Sequence, residues 1–149
     1  MQLALSTTVN GTIQQVFNGF NQDLFLQLNP PFPPVRVLRF DGTQIGDEVH
    51  LELNFLFFRQ IWISHITAFE TTETEILFVD EGRQLPFFLT SWRHRHRVVA
   101  TETGTVIIDE IRFTSPNRLL DLVLLPTLYL QFLYRKPIYK RFFRTFHDD

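Results

Sequence analysis

The stretch SWRHRHRVVATETGTVIIDEIRFT, residues 91–114, consists of two runs of β-forming residues separated by a short polar segment. This pattern predicts an antiparallel hairpin. Because side chains on a strand alternate between faces, Trp92, His94 and His96 share one face and the arginines between them share the other. Tryptophan and the later Val98 mark the first face as buried, so the arginines are predicted to face solvent.

A two-residue turn at positions 102–103 sets the register of this hairpin. On the inner face it produces the pairs Trp92 with Phe113, His94 with Ile111, His96 with Asp109, and Val98 with Ile107. On the outer face the same register sets Arg95 opposite Glu110, which is a favourable pairing of charges. The register therefore satisfies both faces of the hairpin at once.

Asp109 lies on the apolar face of the second strand and needs a partner, because burial of an unpaired carboxylate is costly. The preferred register places His96 opposite it. A slip by two residues would place Asp109 opposite His94 or Val98 instead, so His94 is the alternative partner. We expect such a pair to hold its proton more tightly than free imidazole, since the carboxylate favours the charged ring while burial opposes it.

Several roles are open for this group of His94, His96 and Asp109. The first is structural, a satisfied polar pair on an apolar wall. In the second, the histidines donate hydrogen bonds to a carbonyl or carboxylate of a ligand. In the third, one histidine is a general acid or base whose ring Asp109 orients. A metal site would use both imidazoles with Asp109 as third ligand, but His-x-His spacing alone is a weak signal, and no metal is predicted.

The composition is that of one soluble domain spanning residues 1–149, with 44% hydrophobic and 20% charged residues and a net charge of -2. These values exclude a disordered chain and a globally basic nucleic-acid binder. The chain also has 17 phenylalanines. Such bulk favours an interior that encloses a cavity, and the alternative is a Phe-rich core.

The chain lacks the residues and motifs that several kinds of chemistry require. There is no cysteine, which excludes thiol catalysis, cysteine zinc sites and disulfides. The sequence contains no Gly-rich phosphate loop, nucleophile elbow or H-E-x-x-H motif, so no cofactor is expected. The start, MQLALSTTV, has no signal-peptide pattern, which predicts a cytoplasmic protein.

The order of elements predicts an α+β protein. A short strand at 3–9 precedes one helix that starts with a capping box at Thr12 and Gln15 and ends at Asn29 before the prolines of 30–34. Six consecutive strands follow without helices between them, which indicates an antiparallel meander. Helical spacing returns over 117–146, with breaks or kinks expected at its two prolines, Pro126 and Pro137.

The C-terminal stretch 135–149 is locally basic, with five lysines and arginines against two aspartates. A solvated helix face is the preferred interpretation. The alternative is peripheral contact with an anionic membrane surface or an acidic partner. Binding of nucleic acid is not predicted.

Together these segments resemble the SRPBCC superfamily, which includes START lipid-transfer domains, birch-pollen-allergen-like proteins and bacterial polyketide cyclases. The resemblance rests on the following segments: FDGTQIGDEV, Trp62 with the later Ile66 and Thr67, FVDEG, WRHRHRV, GTVIIDEIRF and YRKPIYKRF. It implies a helix-grip fold, in which about seven antiparallel strands curve around a long C-terminal helix and N-terminal helix closes one end. It also implies a hydrophobic cavity between the sheet and that helix.

The resulting hypothesis is that this cavity binds a small hydrophobic or amphipathic ligand. The expected ligand contacts are Trp62, Ile66, Phe78, Trp92, His94, His96, Asp109, Ile111, Phe113, Leu128 and Phe132. Of these, Trp62 and Phe78 are implied by the resemblance. The alternative is an enzyme of the cyclase, dehydratase or hydrolase type, with His94, His96 and Asp109 as candidate catalytic residues.

Overall fold

The computed structural model describes residues 1–146. Its strands are β1 (Gln2–Val9), β2 (Val35–Phe40), β3 (Glu48–Asn54), β4 (Arg59–Thr71), β5 (Glu75–Gln84), β6 (Ser91–Thr101) and β7 (Gly104–Thr114). Its helices are α1 (Ile13–Asn18), α2 (Gln22–Leu28), α3 (Arg118–Leu133) and α4 (Arg135–Phe142). The predicted order of one strand, a helical region, six strands and a second helical region is confirmed, and each helical region contains two helices.

The seven strands form one antiparallel sheet in the order β1-β7-β6-β5-β4-β3-β2. Strands β2 to β7 form the predicted meander, and β1 pairs with the free edge of β7. The predicted register of the β6–β7 hairpin is confirmed, with His96 opposite Asp109 and Arg95 opposite Glu110. Two register shifts interrupt the pairing of β4 with β5, and such bulges bend the strand that carries them.

The N-terminal helical region contains two helices, so the prediction of one helix was wrong. The capping box is present: Thr12 Oγ1 accepts from Gln15 N, and Gln15 Oε1 accepts from Thr12 N. Helix α1 ends at Gly19, where an added Cβ would clash with the ring of Phe143. Asn21 then caps α2 by accepting from the backbone amide of Leu24. Close packing on Gly19 and a new cap explain the break.

The C-terminal helical region breaks at Tyr134, at neither of its prolines. Pro137 lies in the first turn of α4, where an amide has no partner within the helix. Pro126 lies inside α3, where its ring leaves the carbonyl of Leu122 without a helical donor. Leu122 is 56% exposed, so this position is on the solvent side of the helix.

Two apolar clusters fill the space between the sheet and the helices. One joins strands β1, β5, β6 and β7 to α1, α2 and α4, and includes Val16, Val98, Ile107, Tyr139 and Phe143. The other joins β1, β6 and β7 to α3, and includes Trp92, Ile111, Phe113, Leu128 and Phe132. Within residues 1–146, no helix is long and apolar enough to cross a membrane.

Candidate functional site

A cavity of about 560 Å³ lies between the inner face of the sheet and helices α2 and α3. The predicted ligand contacts that line it are Trp62, Ile66, Phe78, Trp92, His94, His96, Leu128 and Phe132. Further phenylalanines from the N-terminal helices and the strand connections complete the wall, among them Phe20, Phe25, Phe55, Phe87 and Phe88. Many of the phenylalanines of the chain therefore line a cavity, as expected from the composition.

Asp109, Ile111 and Phe113, which were also predicted as ligand contacts, do not line this cavity. Ile111 and Phe113 are fully covered, at 2% and 0% exposure, in the cluster that β7 forms with α3. Asp109 is 3% exposed and contacts Tyr139 of α4. The inner face of β7 is covered by the C-terminal helices, which the hairpin register alone does not reveal.

The hydrogen-bond partner of Asp109 is His94. His94 Nε2 lies 2.8 Å from Asp109 Oδ1, whereas the closest approach of His96 is Nδ1 at 4.0 Å. The preferred pairing with His96 was therefore wrong at the level of side chains, although the backbone register that suggested it is correct. The bond runs diagonally across the hairpin because a second carboxylate binds His96.

That second carboxylate is Asp80 of β5, a residue absent from the predicted site. His96 Nε2 donates to Asp80 Oδ2 at 2.5 Å, and Trp92 Nε1 donates to Asp80 Oδ1 at 3.3 Å. A signal was present in the sequence, because Asp80 follows Ile76 and Phe78 at the spacing of one strand face. An aspartate there predicts a buried polar partner, as it did for Asp109.

Stacking fixes both imidazole rings. The centroids of His94 and His96 lie 3.6 Å apart, and the Phe78 ring stacks on the other side of His96 with centroids 4.3 Å apart. Phe132 of α3 meets His94 edge-on at 5.2 Å. Two stacked imidazoles at this distance repel each other when both are charged, so the pair disfavours double protonation.

The electrostatics of the group favour a neutral His94 between ionised carboxylates. Burial, reinforced by the neighbouring His96, lowers the pKa of His94 to about 4, although Asp109 opposes this. Burial acts against ionisation of Asp109, but the hydrogen bond from His94 and the charge of Arg135 outweigh it and lower its pKa to about 2. The expectation that the ring would hold its proton more tightly than free imidazole is therefore wrong for His94.

These directions assign the tautomer of His94. Because Asp109 is ionised at neutral pH, Nε2 of the neutral ring carries the hydrogen and donates it. Nδ1 is then a lone-pair acceptor, and the structure gives it no hydrogen bond within residues 1–146. Burial opposes ionisation of Asp80, but its interactions with His96, His94 and Trp92 together outweigh burial and lower its pKa.

Two residues of α4, Arg135 and Tyr139, complete the group and were not predicted. The Tyr139 hydroxyl donates to Asp109 Oδ2 at 3.2 Å, and burial beside that carboxylate raises the pKa of Tyr139. Arg135 lines the cavity with its guanidinium carbon 4.2 Å from the ring centroid of Phe132 and Nη1 3.8 Å from Asp109 Oδ1. Their i, i+4 spacing sets both on one helix face.

Arg135 also corrects the interpretation of the basic C-terminal stretch as a solvated helix face. Its side chain is 17% exposed and points toward the cavity. Lys136 donates from Nζ to the carbonyl of Ser6 in β1 at 2.7 Å. Lys140 and Arg144 are exposed as expected, and residues 147–149 of this stretch lie outside the described residues.

A subset of the group could hold a cation. One ligand atom each from Asp80, His94 and His96 lies within 4.8 Å of the others. This set differs from the one considered on sequence grounds, since Asp80 replaces Asp109 as the carboxylate. The group can thus accept hydrogen bonds, orient an imidazole as a base, or coordinate a metal ion.

No family model matches this chain, and no curated protein matches it. Solved structures with similar folds do exist. The di-domain ARO/CYC StfQ from the steffimycin biosynthetic pathway matches 96% of the chain at 13% identity with a TM-score of 0.68. This chain spans 50% of the length of that protein.

Two other solved structures are about as long as this chain and match it over nearly their whole length. Norcoclaurine synthase from Thalictrum flavum, in complex with dopamine and hydroxybenzaldehyde, matches 100% of this chain and 89% of its own at 10% identity and a TM-score of 0.68. A protein of Chromobacterium violaceum matches 95% of this chain and 96% of its own at 12% identity and a TM-score of 0.67. At these identities the likeness establishes the shared fold alone.

Proposed function

We propose that this helix-grip protein binds a small, mostly apolar ligand that carries a polar group. The observation that carries the proposal is the cavity of about 560 Å³, whose apolar wall is interrupted by the group of Asp80, His94, His96 and Arg135. Its volume is in the range of sites for small molecules, which are lined by apolar side chains with few polar ones. A ligand partner is also compatible with the two molecules held by norcoclaurine synthase.

The wall supports an aromatic or aliphatic body for the ligand. Trp62 and Trp92 meet edge to face with centroids 4.8 Å apart, and Leu124 and Leu128 of α3 face the same space. Removal of apolar ligand surface from water contributes about 25 cal/mol per Å² before the costs of association. Burial therefore supplies the affinity in this proposal, and the polar group supplies orientation.

The hydrogen-bonding state of the polar group favours a hydroxyl on the ligand. His94 and His96 donate their Nε2 hydrogens to Asp109 and Asp80, which leaves these hydrogens engaged within the protein and not directed at a ligand carbonyl. His94 Nδ1 remains as an acceptor at the cavity wall, and Arg135 remains as a cation. An alcohol or phenol matches this acceptor, whereas a carbonyl matches only Arg135.

The proposal is tested by binding of 1-anilinonaphthalene-8-sulfonate and by native mass spectrometry of freshly purified protein. Ser64 of β4 lines the cavity, so Ser64→Phe should fill part of it and weaken probe binding at least tenfold. Ser91→Phe is the matched control, because Ser91 is exposed and outside the cavity lining. Equal probe affinity in both variants, with no co-purified small molecule, would overturn the proposal.

A second candidate is general-base catalysis by His94, which is favoured by the Asp109 to His94 hydrogen bond of 2.8 Å. A carboxylate that fixes the tautomer leaves the Nδ1 lone pair free to accept a proton, and this atom lies 3.8 Å from Asp80 Oδ2 at the cavity wall. The pKa of about 4 makes this a weak base, however, which places the candidate second. If a co-purified molecule is found, wild-type protein should convert it under this candidate and His94→Gln should bind it without conversion.

A further inference from the structure

We propose that Asp80, His94 and His96 form a site for a divalent transition-metal ion at the wall of the cavity. Zinc is the reference ion, because a mixed set of imidazole nitrogens and one carboxylate oxygen suits it. The site uses the His94 Nδ1 lone pair that the proposed function assigns to a ligand hydroxyl, so the ion and that hydrogen bond exclude each other, and the metal is tested without an organic ligand. A metal ion could be bound by a protein that holds no organic ligand, and the reverse is equally true.

The geometry that carries the proposal is the convergence of two imidazole nitrogens on one carboxylate oxygen. His96 Nε2 lies 2.5 Å and His94 Nδ1 3.8 Å from Asp80 Oδ2. Three ligands of a tetrahedral zinc ion, each about 2.1 Å from the metal, lie roughly 3.4 Å apart. A small opening of the His96 contact and a small closure of the His94 contact would reach that arrangement.

The outer contacts of both histidines fit metal coordination. His94 Nδ1 faces Asp80 while its Nε2 hydrogen is held by Asp109, which is the carboxylate–histidine arrangement that orients metal-binding imidazoles. A metal on His96 Nε2 would require the ring hydrogen to lie on Nδ1. That atom is buried without a hydrogen-bond partner and lies 4.0 Å from Asp109 Oδ1. The metal-bound tautomer would direct this hydrogen toward the Asp109 carboxylate, an electrostatic contact at 4.0 Å that is longer than a hydrogen bond.

Charge balance also favours a cation at this position. Asp109 is a buried and Asp80 a partly buried carboxylate, and Arg135 is a permanent cation close to both. With both histidines neutral, the three charged groups sum to a negative charge. The fourth coordination position would face the cavity, as in zinc sites that act on a bound molecule.

The competing interpretation is a hydrogen-bonded group that binds no metal, and titration of the metal alone distinguishes the two. Untagged protein is stripped with a chelator and titrated with zinc chloride by calorimetry, and equilibrium dialysis gives the stoichiometry. We expect one zinc ion per chain and a raised melting temperature. Asp80→Asn keeps the shape of the side chain and should weaken zinc binding at least tenfold.

Two further variants separate this site from unspecific binding elsewhere. His50 of β3 and His65 of β4 each have a buried ring nitrogen that makes no hydrogen bond, so they are alternative places for zinc to bind. The double variant His50→Ala, His65→Ala should nevertheless keep the one-to-one binding. Asp109→Asn leaves all three ligands in place but removes the orienting carboxylate, and should weaken binding tenfold to a hundredfold. Melting curves of each metal-free variant verify that it is folded.

Nitrogen NMR of the histidine rings provides a readout that stability alone would not change. Zinc should shift the Nδ1 resonance of His94 and the Nε2 resonance of His96, while His94 Nε2 keeps its hydrogen. The proposal is overturned if zinc does not bind the wild-type protein, if Asp80→Asn binds it with unchanged affinity, or if the double variant at His50 and His65 abolishes binding.

Discussion

The two faces of strand β6 carry similar polar residues in opposite environments. On the outer face, Arg95 and Arg97 pair with Glu110 and Glu75, and the arginine side chains are 39% and 27% exposed. On the inner face, the side chains of His94 and Asp109 are each 4% exposed. Alternation along a single strand thus separates a solvated charge stripe from a buried polar group.

The two faces differ in how much folding free energy is lost when one member of a pair is removed. Water replaces the partner of an exposed charge, so a surface ion pair contributes little. Nothing replaces the partner of a buried carboxylate, so the inner group must stay complete. Apolar residues at these positions would avoid that cost. The presence of a costly polar group beside a cavity is therefore the physical reason for assigning this group a binding role.

The largest expected effect comes from a substitution at the centre of the inner group. Asp109→Ala removes the acceptor of His94 and Tyr139 and the counter-ion of Arg135, and should lower the free energy of unfolding by about 3 to 5 kcal/mol. Glu110→Ala, one residue along on the outer face, should cost less than about 1 kcal/mol. Urea unfolding measures both, and similar losses would contradict the comparison.

Acid should destabilise the metal-free protein through His94. The folded protein holds the pKa of this ring at about 4, against an ordinary value of 6.5, so the unfolded chain binds the proton more readily. The stability is therefore full above pH 6.5 and falls by about 3 kcal/mol as the pH drops to 4. Unfolding free energies over this range in the presence of a chelator should show a flatter profile for His94→Gln. An unchanged slope would contradict this assignment.

A smaller effect is expected from the hydroxyl that contacts Asp109. Tyr139→Phe keeps the fully buried ring and removes only the donor 3.2 Å from Asp109 Oδ2. The carboxylate keeps its bond from His94, so the expected loss is about 1 to 3 kcal/mol. Thermal unfolding of this variant beside Tyr134→Phe, whose side chain is exposed, isolates the buried hydrogen bond. Equal melting temperatures would show that the hydroxyl contributes nothing.

The smallest effect is expected on the outer face. Arg95→Ala removes an ion pair with Glu110 at 3.5 Å and should change the free energy of unfolding by less than about 1 kcal/mol. Any change should diminish in high salt, since exposed charges are screened. A loss above about 2 kcal/mol would show that the stripe is structural and would remove the contrast between the faces.

The fold was largely predictable from the sequence because periodicity and turns are local signals. The hairpin of residues 91–114, its register, and the meander before it all follow from alternation and turn residues, and each is confirmed. The helix-grip fold implied by the resemblance is confirmed as well. The helix boundaries were less predictable, since the break at Gly19 depends on Phe143, a residue far along the chain.

The composition of the polar group was only half predictable. His94, His96 and Asp109 are recognisable because polar residues interrupt an apolar face, and Asp80 carried the same signal on its own strand. Which carboxylate binds which histidine depends on diagonal contacts between three strands, which register does not determine. Arg135 and Tyr139 join the group only because of how α4 packs against β7. The sequence pattern of a short helix does not reveal that packing.

The most direct test of the central claim compares 2-naphthol with naphthalene as ligands of the wild-type protein and of His94→Phe. The two probes share an apolar body and differ by one hydroxyl. If the inner group recognises a polar substituent, the wild-type protein should bind 2-naphthol about tenfold more tightly, the equivalent of one good hydrogen bond. This preference should disappear in His94→Phe. An equal preference in both proteins, or no binding of either probe, would contradict the account.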